Sequence, residues 1–206
     1  MTSAMDVIRA DRVLTVVRAP EIPDPAALAR ALAGSGIRAV ELTFTTPGVL
    51  DALRKASDSG YGVMGAGTVL TGDQAAAAID NGARFLVTPG IREGVAEVAI
   101  RRGIPVVMGA LTPTEVMRAL DLGAAAVKIF PARVFGPGYF KDLRGPFPEA
   151  RLIPSGGVNA GNAADFLAQG AVAVTAGTDV VSPADVAAGR WAEIAARAAS
   201  FVRSLN

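Results

Sequence analysis

The chain of 206 residues contains no cysteine and no histidine. The first absence excludes disulfides, thiolate metal sites and cysteine nucleophiles; the second removes the commonest transition-metal ligand and the commonest general base. Any chemistry falls to Lys, Glu, Asp, Arg, hydroxyls and backbone groups, and no metal or organic cofactor is expected. A net charge of +1, with no basic face interleaved with aromatics, argues against nucleic acid and anionic membrane as partners. No apolar run reaches the roughly 18 residues a membrane helix requires. The N-terminal MTSAMDVIRADR carries acidic residues and lacks an uninterrupted apolar core, so it does not read as a secretory signal. A cytoplasmic globular protein is the expectation, and 51% hydrophobic against 19% charged residues suits one well-buried core.

What is present is a repeat. Eight short apolar runs, VLTVVRA, AVELTF, GVMGAG, RFLVTPG, PVVMGAL, AVKIFPA, RLIPSGG and AVAVTAG, recur about every 20 to 26 residues and read as buried parallel strands. Between them lie segments with helical spacing. Asp24-Pro25, Thr46-Pro47, Thr112-Pro113 and Ser182-Pro183 are read as helix starts, the polar residue capping and the proline taking the first turn. TGDQ at 71–74 and TPTE at 112–115 are read as capping boxes. Gly36, Gly60, Gly82, Gly103, Gly123 and Gly170 fall just before strands, where helices stop on a left-handed residue. The segment GPGYFKDLRGPFPEA, with three prolines, is expected to hold the weakest helix. Eight βα units predict a (β/α)8 TIM barrel in a single compact domain over residues 1–206. A doubly wound open sheet also alternates strands and helices, but its glycine-rich loop is missing after the first strand.

The chemistry is expected at the C-terminal ends of the strands, where alternate side chains face the barrel interior. Lysine is scarce, three residues against seventeen arginines, yet Lys128 interrupts the apolar run GAAAVKIFPA. With Val127 and Ile129 turned outward, Lys128 points inward; with Val40, Leu42 and Phe44 outward, so do Glu41 and Thr43. Strands two and six stand across an eight-membered ring, so an amine and a carboxyl group converge on one cavity. Such a pair could merely fill space, though buried ion pairs stabilise weakly. The same burial disfavours the ammonium form and frees an amine to attack a carbonyl, while a carboxylate moves protons. Arg18, ending strand one, is placed to clamp a substrate carboxylate unless it is an exposed rim residue. SGGVNAGN at 155–162 and AGTD at 176–179 lie where such barrels hold phosphate; by itself the glycine pair is a tight turn, with Asn159 as a possible cap. Thr68 either caps a helix or meets substrate, and Pro89 and Phe130 are either packing residues or, at their strand ends, the apolar wall beside the imine that amine and carbonyl would form. Lys55 and Lys141 read as solvated helix residues.

The motifs ELTFTTP (41–47), GAGTVLT (65–71), FLVTPG (85–90), GALTPTE (109–115), VKIFPA (127–132) and PSGGVNAGN (154–162) resemble the 2-keto-3-deoxy-6-phosphogluconate (KDPG) and 4-hydroxy-2-oxoglutarate (KHG) aldolases, in the same order along nearly the whole chain. The resemblance implies a (β/α)8 barrel, commonly a homotrimer, and a metal-independent carbon–carbon lyase of the Entner–Doudoroff pathway acting on a small 2-keto acid phosphate. It implies Lys128 as the Schiff-base lysine and Glu41 as the acid/base group. Arg18 and Thr68 would meet the pyruvate carboxylate, Pro89 and Phe130 would line the pocket, and Gly156, Gly157, Gly177 and Thr178 would meet the phosphate. The chain departs from the family pattern at Thr45, where some members carry arginine, and at Met108, which stands in place of a proline.

Overall fold

The computed structural model describes residues 3–205. Its strands are β1 (Val13–Val17), β2 (Ala39–Thr43), β3 (Val63–Gly67), β4 (Leu86–Val87), β5 (Val106–Ala110), β6 (Ala126–Ile129), β7 (Leu152–Pro154) and β8 (Val174–Ala176), one within each of the eight expected runs. All neighbouring pairs are parallel, and the ladder runs β7-β6-β5-β4-β3-β2-β1-β8. The seam between β7 and β8 is bridged differently: the Val172 N–H donates to the Leu152 carbonyl at 3.0 Å, and the Thr175 hydroxyl donates to the Pro154 carbonyl at 2.9 Å. A nearly closed barrel results, as the repeat predicts.

Two apolar layers follow from strand alternation. Val40, Leu42, Met64, Leu86, Val127 and Ile129 pack outward against the helices, whereas Leu14, Ala39, Phe85, Val87, Val107, Ala126, Ile153 and Ala173 fill the interior. Phe44 joins the outer layer, partly buried. The interior layer is completed by an element the repeat did not announce, the helix α1 (Ala4–Asp11), whose Met5, Val7 and Ile8 are buried against it. Ser3 and Asp6 form a capping box at its start, and the helix closes the end of the barrel opposite the strand C-termini.

The remaining helices are α2 (Pro25–Gly34), α3 (Val49–Asp58), α4 (Gly72–Asp80), α5 (Glu93–Arg102), α6 (Pro113–Asp121), α7 (Gly138–Arg144), α8 (Ala163–Ala168), α9 (Pro183–Ala187) and α10 (Trp191–Arg203), with a 3-10 turn at Ala132–Val134. Asp24, Thr112 and Ser182 cap their helices with proline in the first turn, and Thr112 with Glu115 forms the full box. The six expected glycines all have positive φ. Three readings need correction. Thr46 is no cap: Gly48 precedes α3, and the buried Thr46 hydroxyl accepts the Ala19 N–H at 3.3 Å. TGDQ is half a box, since Thr71 accepts from the Gln74 N–H while the Gln74 side chain reaches the Leu70 N–H at 2.7 Å, one residue too far back. The helix after β6 is seven residues long, but α8 with six and α9 with five are shorter still. No helix among the described residues is long and apolar enough to cross a membrane.

Candidate active site

The site begins with two strands on opposite sides of the ring. On β2 the alternation that sends Val40 and Leu42 outward turns Glu41 inward, and on β6 Val127 and Ile129 do the same for Lys128. Lys128 Nζ stands 4.0 Å from Glu41 Oε1, with the lysine side chain 10% and the glutamate 1% exposed. Neither carboxylate oxygen of Glu41 has a hydrogen-bond partner among the described residues. Desolvation raises the Glu41 pKa above the usual 4.5, and the positive charges of Lys128 and Arg18 pull the other way. A buried carboxyl group with unspent hydrogen-bonding capacity is costly to keep. Its retention beside an amine is the arrangement that singles out a candidate functional pair.

Above the pair opens a cavity of 610 Å³. Its walls contain nine of the ten residues singled out from sequence: Lys128, Arg18, Thr68, Pro89, Phe130, Gly156, Gly157, Gly177 and Thr178. Glu41 is the tenth and lies beneath the lining, reached through Lys128. Arg18 donates to the Thr68 hydroxyl at 3.4 Å. Thr68 sits at φ 55°, a left-handed conformation uncommon for a β-branched residue and of the kind that collects at binding sites. The helix that follows is capped by Thr71, so Thr68 faces the cavity and not a helix end. Phe130, 40% exposed, brings its ring centroid within 5.6 Å of Lys128 Nζ, an apolar screen on the open side. Gly109 allows the loop after β4 to close in, since a Cβ there would lie 2.3 Å from the Pro89 carbonyl carbon. Pro89 is thereby held at the cavity wall.

At the other end, Gly156 and Gly157 have φ of 82° and 95°, the backbone geometry that lets N–H groups face a ligand. Asn159 is not the cap expected: Asn162 precedes α8, and Asn159 accepts the Gly161 N–H at 2.8 Å within the turn. Lys55 pairs with Asp51 on the exposed face of α3, and Lys141 is exposed on α7, both remote from the cavity. Thr45 is exposed, its hydroxyl 2.9 Å from that of Thr43. Sequence reasoning passed over Arg133 and Thr175, which also line the cavity, as does Asp179, the last residue of the AGTD segment. Thr175 was accessible to the alternation rule on β8; Arg133 lies in the 3-10 turn, where no periodicity applies. Among the described residues no group of three Asp or Glu side chains is placed to hold a metal ion.

An amine and a carboxyl group converging at the C-terminal mouth of a (β/α)8 barrel is the frame of the imine-forming aldolases. Within that class the chain belongs to the KDPG and KHG aldolase family, whose model matches residues 4–197. It is 37% identical over 196 residues to the 2-dehydro-3-deoxy-phosphogluconate aldolase of Pseudomonas aeruginosa, covering 94% of this chain and 89% of that one. It is 33% identical over 186 residues to the KHG/KDPG aldolase of Escherichia coli K12, covering 89% and 87%. The crystal structure of the KDPG aldolase from Legionella pneumophila, with pyruvate captured as a covalent carbinolamine intermediate, matches with a TM-score of 0.89 at 29% identity, covering 97% of this chain and 98% of that one.

Proposed function

We propose that the protein is a class I aldolase, an aldehyde-lyase that cleaves KDPG reversibly to pyruvate and glyceraldehyde 3-phosphate. The observation that carries the reading is the 4.0 Å approach of Lys128 Nζ to an unpartnered, buried Glu41 carboxyl group. It is supported by relatives that carry this activity in their names and by the covalent carbinolamine of the Legionella protein.

The neutral Lys128 amine attacks the C2 ketone, giving a carbinolamine that loses water to a protonated imine. Arg18 and Thr68 hold the carboxylate at C1, and Pro89 and Phe130 keep bulk water from the imine carbon. Glu41, through a water, removes the proton of the C4 hydroxyl; the C3–C4 electron pair flows into the imine, releasing the aldehyde and leaving an enamine. Protonation at C3 and hydrolysis return pyruvate and the amine. The phosphate of the aldehyde half meets the backbone at Gly156, Gly157 and Gly177 and the Thr178 hydroxyl. Residues 1–206 act as one domain, in a homotrimer. Its substrate, anionic at both ends, does not cross bilayers unaided, which suits a reaction in the cytoplasm, in the Entner–Doudoroff route.

Borohydride reduction in the presence of pyruvate tests this directly. The expected result is a reduced pyruvyl adduct on the peptide containing Lys128; active protein labelled elsewhere, or not at all, overturns the assignment. A second reading keeps the chemistry and changes the substrate to KHG or to the galactonate epimer of KDPG. The double name of the Escherichia coli relative favours considering it, and comparing kcat/KM on the three substrates decides between them.

A further inference from the structure

The cavity is lined by four charged side chains, Arg18, Lys128, Arg133 and Asp179. Two of the three cations are committed to one end: Lys128 faces Glu41, and Arg18 reaches Thr68. Arg133 belongs to the other end. Its backbone N–H donates to the Gly156 carbonyl at 2.9 Å, and its side chain begins directly over Gly157, where an added Cβ would lie 2.6 Å from Arg133 Cβ. The 3-10 turn at Ala132–Val134 is thus fastened to the glycine pair. Its arginine stem lies across the wall formed by Gly156 and Gly157.

The Arg133 guanidinium is exposed and forms no ion pair with any described residue. Seven other basic side chains of the described residues, including Arg38, Arg118 and Arg197, have found acidic partners. A cation that lines a cavity, is pinned at its backbone and keeps all five donors free is suited to a planar, multidentate contact with an anion that arrives with the substrate. Asp179, the only acidic side chain in the lining, repels the same anion, so Arg133 is the one lining side chain at this end whose charge attracts it. The cavity therefore has a cation at each end and suits a substrate that is anionic at both.

We propose that Arg133 is a specificity-determining residue that selects phosphorylated over unphosphorylated 2-keto acids by binding the phosphate of the aldehyde half. The inference rests on the aldolase reading and adds a side chain to the backbone contacts at the glycines. Arg133 touches the end of the substrate remote from the reacting bond. Its loss must spare the imine chemistry.

The test compares wild type, Arg133→Ala and Arg133→Lys on KDPG and on 2-keto-3-deoxygluconate, the same sugar acid with a neutral hydroxyl in place of the phosphate, with borohydride trapping of pyruvate as an internal control. Losing a charge-assisted contact at an exposed site should lower kcat/KM on KDPG about tenfold in Arg133→Ala, leave the low kcat/KM on the phosphate-free sugar acid within about twofold, and leave pyruvate trapping intact; Arg133→Lys should recover part of the loss. Inorganic phosphate should inhibit the wild type competitively against KDPG and inhibit Arg133→Ala more weakly. An unchanged kcat/KM on KDPG, or an equal fall on both substrates, overturns the proposal while leaving the aldolase reading in place. Wild-type protein that traps no pyruvate overturns the aldolase reading itself.

Discussion

The carboxyl group of Glu41 occupies the space that a side chain at Gly67 would fill. A Cβ built on Gly67 stands 1.7 Å from Glu41 Oε1 and 2.2 Å from its carboxyl carbon. The two residues are on paired strands, with Thr43 of β2 in register with Gly67 and Glu41 in register with Gly65. The glutamate therefore leans along the barrel axis toward the mouth, over a position kept bare for it. Gly67→Ala should push the carboxyl group off this seat. We expect kcat/KM to fall by on the order of 10² to 10⁴, the scale of losing general acid–base catalysis, with unfolding free energy lower by about 1–3 kcal/mol from overpacking. Pyruvate trapping at Lys128 should persist, and a variant with activity within twofold of wild type would remove Gly67 from the positioning of the base.

The burial of Glu41 also sets a pH dependence of stability. Desolvation raises its pKa in the fold above the ordinary 4.5. Between those two values the folded protein holds a proton that the unfolded chain has released, so this group's contribution to stability falls as pH climbs through the interval. Glutamine has the same shape and cannot ionise. The melting temperature of Glu41→Gln relative to wild type should therefore rise progressively above pH 4.5, while its turnover falls by on the order of 10² to 10⁴. Melting curves taken at half-unit steps of pH check the first statement, and a difference that is flat across them contradicts it.

Lys128 and Glu41 were legible because a single charged residue inside an alternating apolar run has only two directions to face, and the outward one belongs to the helices. Opposition across the barrel followed from counting strands. What the sequence concealed depends on closure. Met5, Val7 and Ile8 of α1 pack on a surface that exists only after eight strands form a ring, so no local pattern names their partner. Arg133 is likewise brought against Gly157 only by the tertiary fold. The misreading at Thr46 has a local cause: Pro47 resembles a first-turn proline, but Gly48 adopts φ 68° and delays the helix, freeing Thr46 to accept a buried N–H instead.

The closing helix α1 gives a stability prediction that should not touch catalysis. Ile8 is fully buried among Leu14, Phe85 and their neighbours in the interior layer, at the end of the barrel away from the cavity. Ile8→Ala removes three carbons from a site whose walls are the strands themselves and cannot collapse freely. Denaturant unfolding should show a loss of about 2–5 kcal/mol, with kcat on KDPG unchanged at temperatures where the variant stays folded. A loss under about 0.5 kcal/mol would mean that α1 frays from the barrel and that the interior is sealed in some other way.

Asp185 supplies the opposite sign of pH dependence from Glu41. It sits in the first turn of α9, where the Ser182 hydroxyl donates to it at 2.8 Å and Arg190 Nε at 2.6 Å, and the Arg197 guanidinium of α10 completes the cluster. These donors, the serine hydroxyl first, lower its pKa from 3.8 to about 2. Between those values the unfolded chain binds the proton and the folded protein does not, so the stabilisation is complete above 3.8 and is lost as pH falls toward 2. Asp185→Asn should melt a few degrees below wild type at neutral pH, because it removes the anchor that holds the start of α10 to α9. The deficit should narrow as pH drops through that window. It should also shrink in concentrated salt, since both arginines are partly exposed and their attraction is screened. A deficit independent of both pH and salt would assign the role of Asp185 to helix capping alone, without the two arginines.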